Sequence, residues 1–182
     1  LSVGLWACQE ADASRGTRGV ITGCGPMGAI CALVARARGA DVVVVTDINA
    51  QRRQKVEDLG FTTCDPATSA IPEADVLLEC SGSASAIDQG IRCLAPAGMA
   101  VLIGMAPSDT VPLPVGALQG KEVWLTGTFR YANTYPTAVE LLSSGLVDLD
   151  AIVSASYPLE EVENALTHAK SHPADMKVMV HP

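Results

Sequence analysis

The stretch Gly23-Cys24-Gly25-Pro26-Met27-Gly28 decides the fold of this chain. It follows an apolar strand predicted over 19–22 and opens a helix predicted over 27–38. A G-x-G-x-x-G spacing is a weak signal alone, but here a second predicted strand, 42–46, ends beside Asp47 about twenty residues further on. The first glycine permits a tight turn, the second lets a pyrophosphate approach the backbone, and the third lets helix and strand pack closely. The stretch therefore predicts a dinucleotide-binding βαβ unit, with a ligand-free glycine turn as the alternative.

Apolar runs alternate with helical patterns along the rest of the chain, which predicts a parallel sheet. Further strands are predicted over 62–64, 76–80, 99–105, 122–126, 154–157 and 177–180, and further helices over 1–11, 50–59, 84–93, 134–143 and 159–170. Residues 65–75 hold two prolines and predict an extended or one-turn crossover. The fold class is α/β, a doubly wound Rossmann parallel sheet of about six strands in the order 3-2-1-4-5-6 with helices on both faces.

We expect residues 1–182 to form one dinucleotide-binding domain. Within it, 1–17 are predicted to be an entry helix and linker, and 171–182 a tail strand leading back toward another domain. The chain begins with Leu1 rather than Met, which indicates a shortened or processed chain.

Composition excludes several classes of protein. A content of 48% hydrophobic and 18% charged residues is typical of globular proteins. The net charge of -8 argues against nucleic acid as a partner. No apolar run approaches the ~18 residues of a membrane span, and no signal peptide is visible. The six cysteines form no C-x-x-C pair, so we expect reduced thiols and a cytoplasmic location.

Asp47 is the predicted ribose ligand, because its carboxylate can accept hydrogen bonds from both adenosine ribose hydroxyls. The same charge would repel a 2′-phosphate, which favours NAD over NADP. Arg52 and Arg53 complicate this prediction, since a nearby arginine can accept the 2′-phosphate or lie against the adenine. Alternatively, Asp47 is an ordinary strand-end acid that caps Asn49 or Ala50.

Three later loops follow strand ends, where ligands of such sheets bind. The residues concerned are Cys80, Ser81 and Gly82 after Glu79, then Ile103, Gly104 and Met105, then Thr128, Phe129, Arg130 and Tyr131. The last group could pack on a nicotinamide ring and reach phosphate or substrate. Ordinary turn chemistry, or a surface loop, is the alternative for each.

His168 and His172 have the i, i+4 spacing of a metal pair. Pro173 follows at once and no third ligand is near in sequence, so we interpret the pair as an exposed helix end. We expect neither a metal site nor a catalytic residue in this chain.

The sequence resembles the zinc-dependent medium-chain dehydrogenase/reductase superfamily, and most closely its sorbitol (polyol) dehydrogenase branch. The likeness is carried by Leu1-Ser2-Val3-Gly4, the 23–28 loop, Val45-Thr46-Asp47 with Arg52, Glu79-Cys80-Ser81-Gly82, Val111-Pro112-Leu113, Phe129-Arg130-Tyr131-Ala132-Asn133 and Lys177-Val178-Met179-Val180. The crossover before the fourth strand is shorter here than in the family.

The resemblance implies NAD contacts from Met27, Asp47, Arg52 and the loops 103–105 and 128–130, and substrate contacts from Arg130 and Tyr131. It also implies a catalytic zinc held by Cys, His and Glu residues of a preceding barrel-like domain. The full enzyme would oxidise a secondary alcohol of a polyol to a ketone, with hydride transfer to NAD, as a homo-oligomer. This chain alone would bind the cofactor and turn nothing over.

Two other functions remain open at this point. The chain could be a stand-alone NAD-sensing module that regulates a partner. It could also be an S-adenosylmethionine-dependent methyltransferase, whose glycine loop and strand-end acid look similar. A methyltransferase sheet usually ends in a hairpin strand.

Overall fold

The computed structural model describes residues 1–182. Its central sheet has six strands: β1 Arg18–Thr22, β2 Asp41–Thr46, β3 Thr63–Cys64, β4 Ala74–Glu79, β5 Leu94–Leu102 and β6 Trp124–Gly127. They run in the order β3-β2-β1-β4-β5-β6, and every pairing is parallel. The predicted strand order is thus confirmed. The sheet has no hairpin strand of the kind that ends a methyltransferase sheet.

The helices are α1 Ser2–Glu10, α2 Pro26–Ala37, α3 Ala50–Asp58, α4 Ala84–Cys93, α5 Val115–Gly120, α6 Tyr135–Ser143 and α7 Val162–Ser171. They cover both faces of the sheet, as predicted. One core cluster joins the sheet to α1, α2, α3 and α6, and the second joins its other face to α4 and α5. None of the helices is both long and apolar enough to cross a bilayer.

Residues 65–73 connect β3 to β4 without a helix, through one turn after Asp65 and then extended chain, as predicted. Because β4 lies on the far side of β1 from β2, this connection crosses the middle of the sheet at the point where the strand order reverses. That crossing point is where open α/β sheets bind ligands.

Most strand bounds differ from prediction by one or two residues, and β5 differs by more. Strand β5 starts at Leu94 rather than 99, because Leu94 is fully buried and pairs with Ala74. It ends at Leu102 rather than 105. Strand β6 starts at Trp124 rather than 122, since Glu122 has a φ of 54° and cannot continue a strand. Helix α5 was not predicted, as six residues with two glycines give no periodic pattern.

The C-terminal residues form a small unit of their own. Strands β7 Val153–Pro158 and β8 Lys177–His181 pair in parallel as a separate sheet, with α7 as the crossover between them. Both strands were predicted, but not their separation from the main sheet. The helix predicted from 159 begins at Val162, after a 3₁₀ turn over Leu159–Glu161. We call β7, α7 and β8 the C-terminal unit.

Candidate dinucleotide-binding site

A cavity of about 500 Å³ opens at the carboxyl ends of β1, β2 and β4. Its volume is in the range of small-molecule sites. Its lining is formed by Gly23, Gly25, Pro26, Met27, Thr46, Asp47, Ile48, Arg52, Pro66, Ala67, Cys80, Ser81, Ser83, Ser85, Ala86 and Gln89. The cavity therefore occupies the switch point that the strand order creates.

The three glycines of the loop have three different surroundings. Gly23 has a φ of 95°, which favours glycine. A Cβ on Gly28 would lie 1.8 Å from the carbonyl oxygen of Gly23, so helix and loop touch through that glycine. A Cβ on Gly25 would meet nothing nearer than the Arg52 guanidinium at 4.0 Å. No protein atom therefore requires glycine at position 25, and the space above it is open to the cavity.

Helix α2 begins directly beneath this open space. Its N-cap is Gly25, no side chain caps it, and Pro26 is in the first turn. The first backbone N–H groups of a helix lack internal partners and carry the positive end of the helix dipole. This arrangement suits an anion such as a pyrophosphate.

Asp47 ties the end of β2 to the glycine loop. Its Oδ2 accepts a hydrogen bond from the Cys24 N–H at 2.8 Å, and its Oδ1 accepts one from the Asn49 N–H at 2.8 Å. The contact to Asn49 that was considered as the alternative role is thus present, yet Asp47 also lines the cavity. Each oxygen retains acceptor capacity for a ligand hydroxyl. Burial, together with the Asp47 charge, raises the pKa of the Cys24 thiol to about 12.

The two arginines after Asp47 point in different directions. Arg53 donates to the backbone carbonyl of Asp47 at 2.7 Å and lies 3.6 Å from the Asp65 carboxylate, and it does not line the cavity. Arg52 does line it, and its Nε donates to the carbonyl of Pro173 at 2.9 Å. Arg52 is therefore the arginine that a ligand in the cavity would meet.

Glu79 is a structural element of the site that the sequence analysis did not assign. It is fully buried at the end of β4 and accepts hydrogen bonds from Thr22 Oγ1, from Ser81 and from the Gly82 N–H. These contacts fix the turn after β4. In the sequence, the feature that could have identified Glu79 is an acidic residue at the end of an otherwise apolar strand.

The predicted cofactor residues divide into two groups. Those in the cavity wall are Gly23, Gly25, Pro26, Met27, Asp47, Arg52, Cys80 and Ser81. Those that do not line it are Gly28, Gly82, Ile103, Gly104, Met105, Thr128, Phe129 and Arg130. Lining residues that were not predicted are Thr46, Ile48, Pro66, Ala67, Ser83, Ser85, Ala86 and Gln89. Ile48 and Ser83 could have been predicted, because they lie in loops that directly follow strands. Pro66 and Ala67 could not, because the path of the 65–73 crossover cannot be derived from its residues.

Glycines also join the two loops after β4 and β5. Gly82 has a φ of 69°, and a Cβ there would lie 2.3 Å from the Met105 carbonyl oxygen. A Cβ on Gly104 would lie 2.2 Å from the Gly82 nitrogen. The position of one loop therefore determines that of the other.

The side of the sheet beyond β5 and β6 is open. Met105 is 80% exposed and Phe129 66% exposed. The Arg130 guanidinium stacks over the Phe129 ring, 4.4 Å from its centroid. The Tyr131 hydroxyl lies 3.0 Å from that of Tyr135, and this hydrogen bond raises the pKa of Tyr131.

The expectation of an exposed helix end was wrong for His168, which is only 7% exposed. Its Nδ1 lies 2.8 Å from the Tyr157 hydroxyl, and its Nε2 lies 2.7 Å from Asp175. His172 is exposed and stacks on it, with ring centroids 4.3 Å apart. The error arose because β7 and the turn before β8 supply polar partners that no local pattern reveals. No cluster of three or more His, Cys, Asp or Glu side chains is arranged to hold a metal ion.

Comparison with known proteins places this geometry in a family. The family model described as zinc-binding dehydrogenase matches residues 26–144, more than half of the chain. Sorbitol dehydrogenase of Rattus norvegicus is 33% identical, over 99% of this chain and 54% of the relative. The chain spans about half the length of the curated relatives it matches.

Solved structures agree with this result. L-idonate 5-dehydrogenase of Escherichia coli superposes with a TM-score of 0.91 at 27% identity, over 99% of this chain and 54% of the other. A putative zinc-binding dehydrogenase of Sinorhizobium meliloti, bound to NADP, has a TM-score of 0.89 at 25% identity, over 100% and 57%. The chain therefore belongs to the zinc-dependent medium-chain dehydrogenase/reductase superfamily, as a sorbitol dehydrogenase-like Rossmann domain.

Proposed function

We propose that this chain is the NAD-binding domain of a zinc-dependent polyol or alcohol dehydrogenase that oxidises a secondary alcohol to a ketone. The observation that carries the proposal is the open space above Gly25, directly over the start of α2. A glycine that no protein contact requires, at the N-terminus of a helix that no side chain caps, is explained by a bound pyrophosphate.

The rest of the cofactor follows from the neighbours of this loop. The adenosine ribose hydroxyls would bind the Asp47 carboxylate, and the adenine would lie toward Arg52, Ile48 and the 66–67 turn. The negative charge of Asp47 favours NAD over NADP. Arg52 acts in the opposite direction, because a guanidinium in the cavity wall can accept a 2′-phosphate, and the putative zinc-binding dehydrogenase of Sinorhizobium meliloti is bound to NADP.

The nicotinamide half would lie beyond β4 toward β5 and β6. We assign it to residues 80–82, 103–105 and 128–130, and assign Arg130 and Tyr131 to the substrate. The exposure of Met105 and Phe129 fits surfaces that a second domain or a ligand covers.

Hydride transfer needs an alcohol whose pKa has been lowered. In the full enzyme, zinc held by the preceding domain would supply the Lewis acid for this step, and bound NAD would supply the hydride acceptor. Tyr131 is the candidate base among the residues that we assign to the substrate, but its raised pKa keeps it protonated at neutral pH. His168 lies in the C-terminal unit and is already bonded to Tyr157 and Asp175. We therefore propose that the chain binds NAD but is inactive alone.

We also propose that the full enzyme is a homo-oligomer. Strand β6 is an edge of the main sheet, and its Trp124 is 70% exposed. An open edge strand with a large apolar side chain is a surface that folded proteins usually cover.

Calorimetric titration of the 182-residue chain with NAD, NADP and S-adenosylmethionine tests the binding proposal. We expect NAD to bind more tightly than NADP and S-adenosylmethionine not to bind. Polyol-dependent NADH formation, assayed with and without added zinc, tests the second part. Robust turnover by the chain alone would contradict its proposed inactivity, and absence of dinucleotide binding would contradict the cofactor role.

A further inference from the structure

Two cysteines meet behind the cavity wall. Cys80 follows β4, is partly buried and lines the cavity, whereas Cys31 lies on α2 and is fully buried. The Cys80 thiol donates to the Cys31 sulfur, and the two Sγ atoms are 3.7 Å apart. All six cysteines of the chain are free thiols, and this is its one hydrogen bond between two thiols.

We propose that Cys80 and Cys31 form an oxidation site, at which a peroxide converts the two thiols into a disulfide that displaces the dinucleotide-binding loops. In the first step the Cys80 sulfur attacks hydrogen peroxide, the O–O bond breaks, and the departing hydroxide takes the thiol proton and leaves as water, which gives a sulfenic acid. In the second step the Cys31 sulfur attacks the Cys80 sulfur, the S–O bond breaks, and a second water leaves. Overall, two thiols are oxidised and one peroxide is reduced to two waters.

The two sulfurs are close enough for the second step, disulfide formation, to need only a small movement. A disulfide bond is about 2.05 Å long, so each sulfur has to move by roughly 1 Å. No protein atom lies between the two sulfurs, because at 3.7 Å they are already in contact. The order of events follows from exposure: an oxidant in the cavity reaches Cys80, and Cys31 resolves the product from within the core.

The buried thiol sets the pH dependence. The hydrogen bond with Cys80, together with burial, raises the pKa of Cys31 well above its usual value. The Cys8 thiol and the Leu1 amino group also face Cys31, and the charge of the amino group acts in the opposite direction without reversing the shift. The thiolate is the attacking species, so closure is slow at neutral pH and accelerates as pH rises.

Displacement of Cys80 affects the loops on both sides of it. A Cβ on Gly23 would lie 3.3 Å from the carbonyl carbon of Cys80, and a Cβ on Gly104 would lie 2.8 Å from the same atom. A sulfur drawn toward α2 therefore moves a peptide that both glycine loops contact. The loss of cofactor affinity rests on the proposed function, whereas the disulfide itself does not.

The chemical test treats the reduced 182-residue chain with hydrogen peroxide and follows intact mass and peptide maps. We expect the loss of two hydrogen atoms and a Cys31–Cys80 cross-linked peptide, formed faster at alkaline pH. In Cys31→Ala, Cys80 should instead gain oxygen. Cys93→Ser removes a partly buried cysteine without a thiol neighbour and should retain the cross-link. A wild-type chain without the cross-linked peptide overturns the proposal.

The functional test titrates NAD into reduced and oxidised chain. We expect binding to weaken at least about tenfold on oxidation and to recover with dithiothreitol, and we expect saturating NAD to slow the cross-link. Peroxide-treated Cys31→Ala carries the oxygen on Cys80 but no cross-link, and we expect it to lose less NAD affinity than the cross-linked wild type. An equal loss in the two proteins overturns displacement by the disulfide. A cross-linked chain with unchanged affinity overturns the displacement. A reduced chain that binds no NAD overturns the proposed function instead, while the cross-link is still read by mass.

Discussion

At the carboxyl edge of the main sheet, residues beside β1 and β2 enclose a cavity, whereas those beside β5 and β6 leave an open surface. Beside β1 and β2, the glycine loop, Asp47 and the 66–67 turn enclose a cavity of about 500 Å³. Beside β5 and β6, Met105 and Phe129 project into solvent and no such cavity forms. On the proposed function, this chain would hold the adenosine and pyrophosphate of NAD in an enclosed cavity, and would contribute only one wall to the nicotinamide site.

The largest effect is expected at the close contact beneath the loop. In Gly28→Ala the new methyl group would lie 1.8 Å from the Gly23 carbonyl oxygen, a backbone atom held by β1. We expect a loss of about 3–5 kcal/mol in the free energy of unfolding, measured by denaturant titration. Gly116→Ala, on an open helix surface, is the matched control and should change it by less than about 1 kcal/mol. Equal stability of the two variants would contradict the packing described for the loop.

Gly25→Val separates binding from folding. Its side chain would enter the open space where we place the pyrophosphate, so NAD affinity should fall at least about 100-fold while stability changes little. Calorimetry and thermal unfolding measure the two quantities, with Gly116→Val as the control for adding the same side chain elsewhere. A folded Gly25→Val chain with normal affinity would remove this loop from the site.

Asp47→Asn tests the cofactor preference. The amide loses the charge that disfavours a 2′-phosphate, and it keeps only one oxygen for the two backbone N–H groups that Asp47 accepts from. We expect NAD affinity to fall about tenfold and NADP affinity to stay equal or rise, measured by parallel calorimetric titrations. Tighter NADP than NAD binding by the unmodified chain would overturn the role of Asp47 at the outset.

The same comparison shows what could be predicted from sequence. The glycine loop, Asp47 and the strand order follow from patterns whose physical cause is local, namely spacing, periodicity and turn chemistry. Pro66 and Ala67 could not be predicted, because their place in the cavity depends on the path of a crossover without periodicity. The burial of His168 could not be predicted either, since Tyr157 and Asp175 reach it only after β7 and β8 have paired.

The C-terminal unit supports the cavity side through α3. Lys55 donates to Asp175 at 2.6 Å, and Asp175 also contacts His168. The hydrogen bonds from Lys55 and His168 lower the pKa of Asp175 to about 2. A lowered carboxylate pKa stabilises the fold above the unfolded value near ~4, and this contribution is lost as pH falls toward 2.

Asp175→Asn should therefore cost on the order of 1 kcal/mol at neutral pH, after allowance for solvent screening, and less near pH 2. Denaturant titration at both pH values measures the difference. Asp109→Asn, at an exposed acid, is the control and should have no comparable effect. A deficit that stays the same at both pH values would mean that the charge of Asp175 is not what stabilises the unit.

The smallest effect is expected on the open side, and it tests the comparison most directly. Ile48 and Met105 are both apolar and almost equally exposed, at 75% and 80%, but only Ile48 lines the cavity. If the adenosine half is complete in this chain, Ile48→Ala should weaken NAD binding by about fivefold, through lost apolar contact. Met105→Ala should change it by less than about twofold, because a nicotinamide ring held by one wall stays largely hydrated. Parallel calorimetric titrations decide between the two sides. If Met105→Ala weakened NAD binding as much as Ile48→Ala, this chain alone would already bind the nicotinamide firmly. The two sides would then differ in the shape of their surfaces but not in their contribution to NAD affinity.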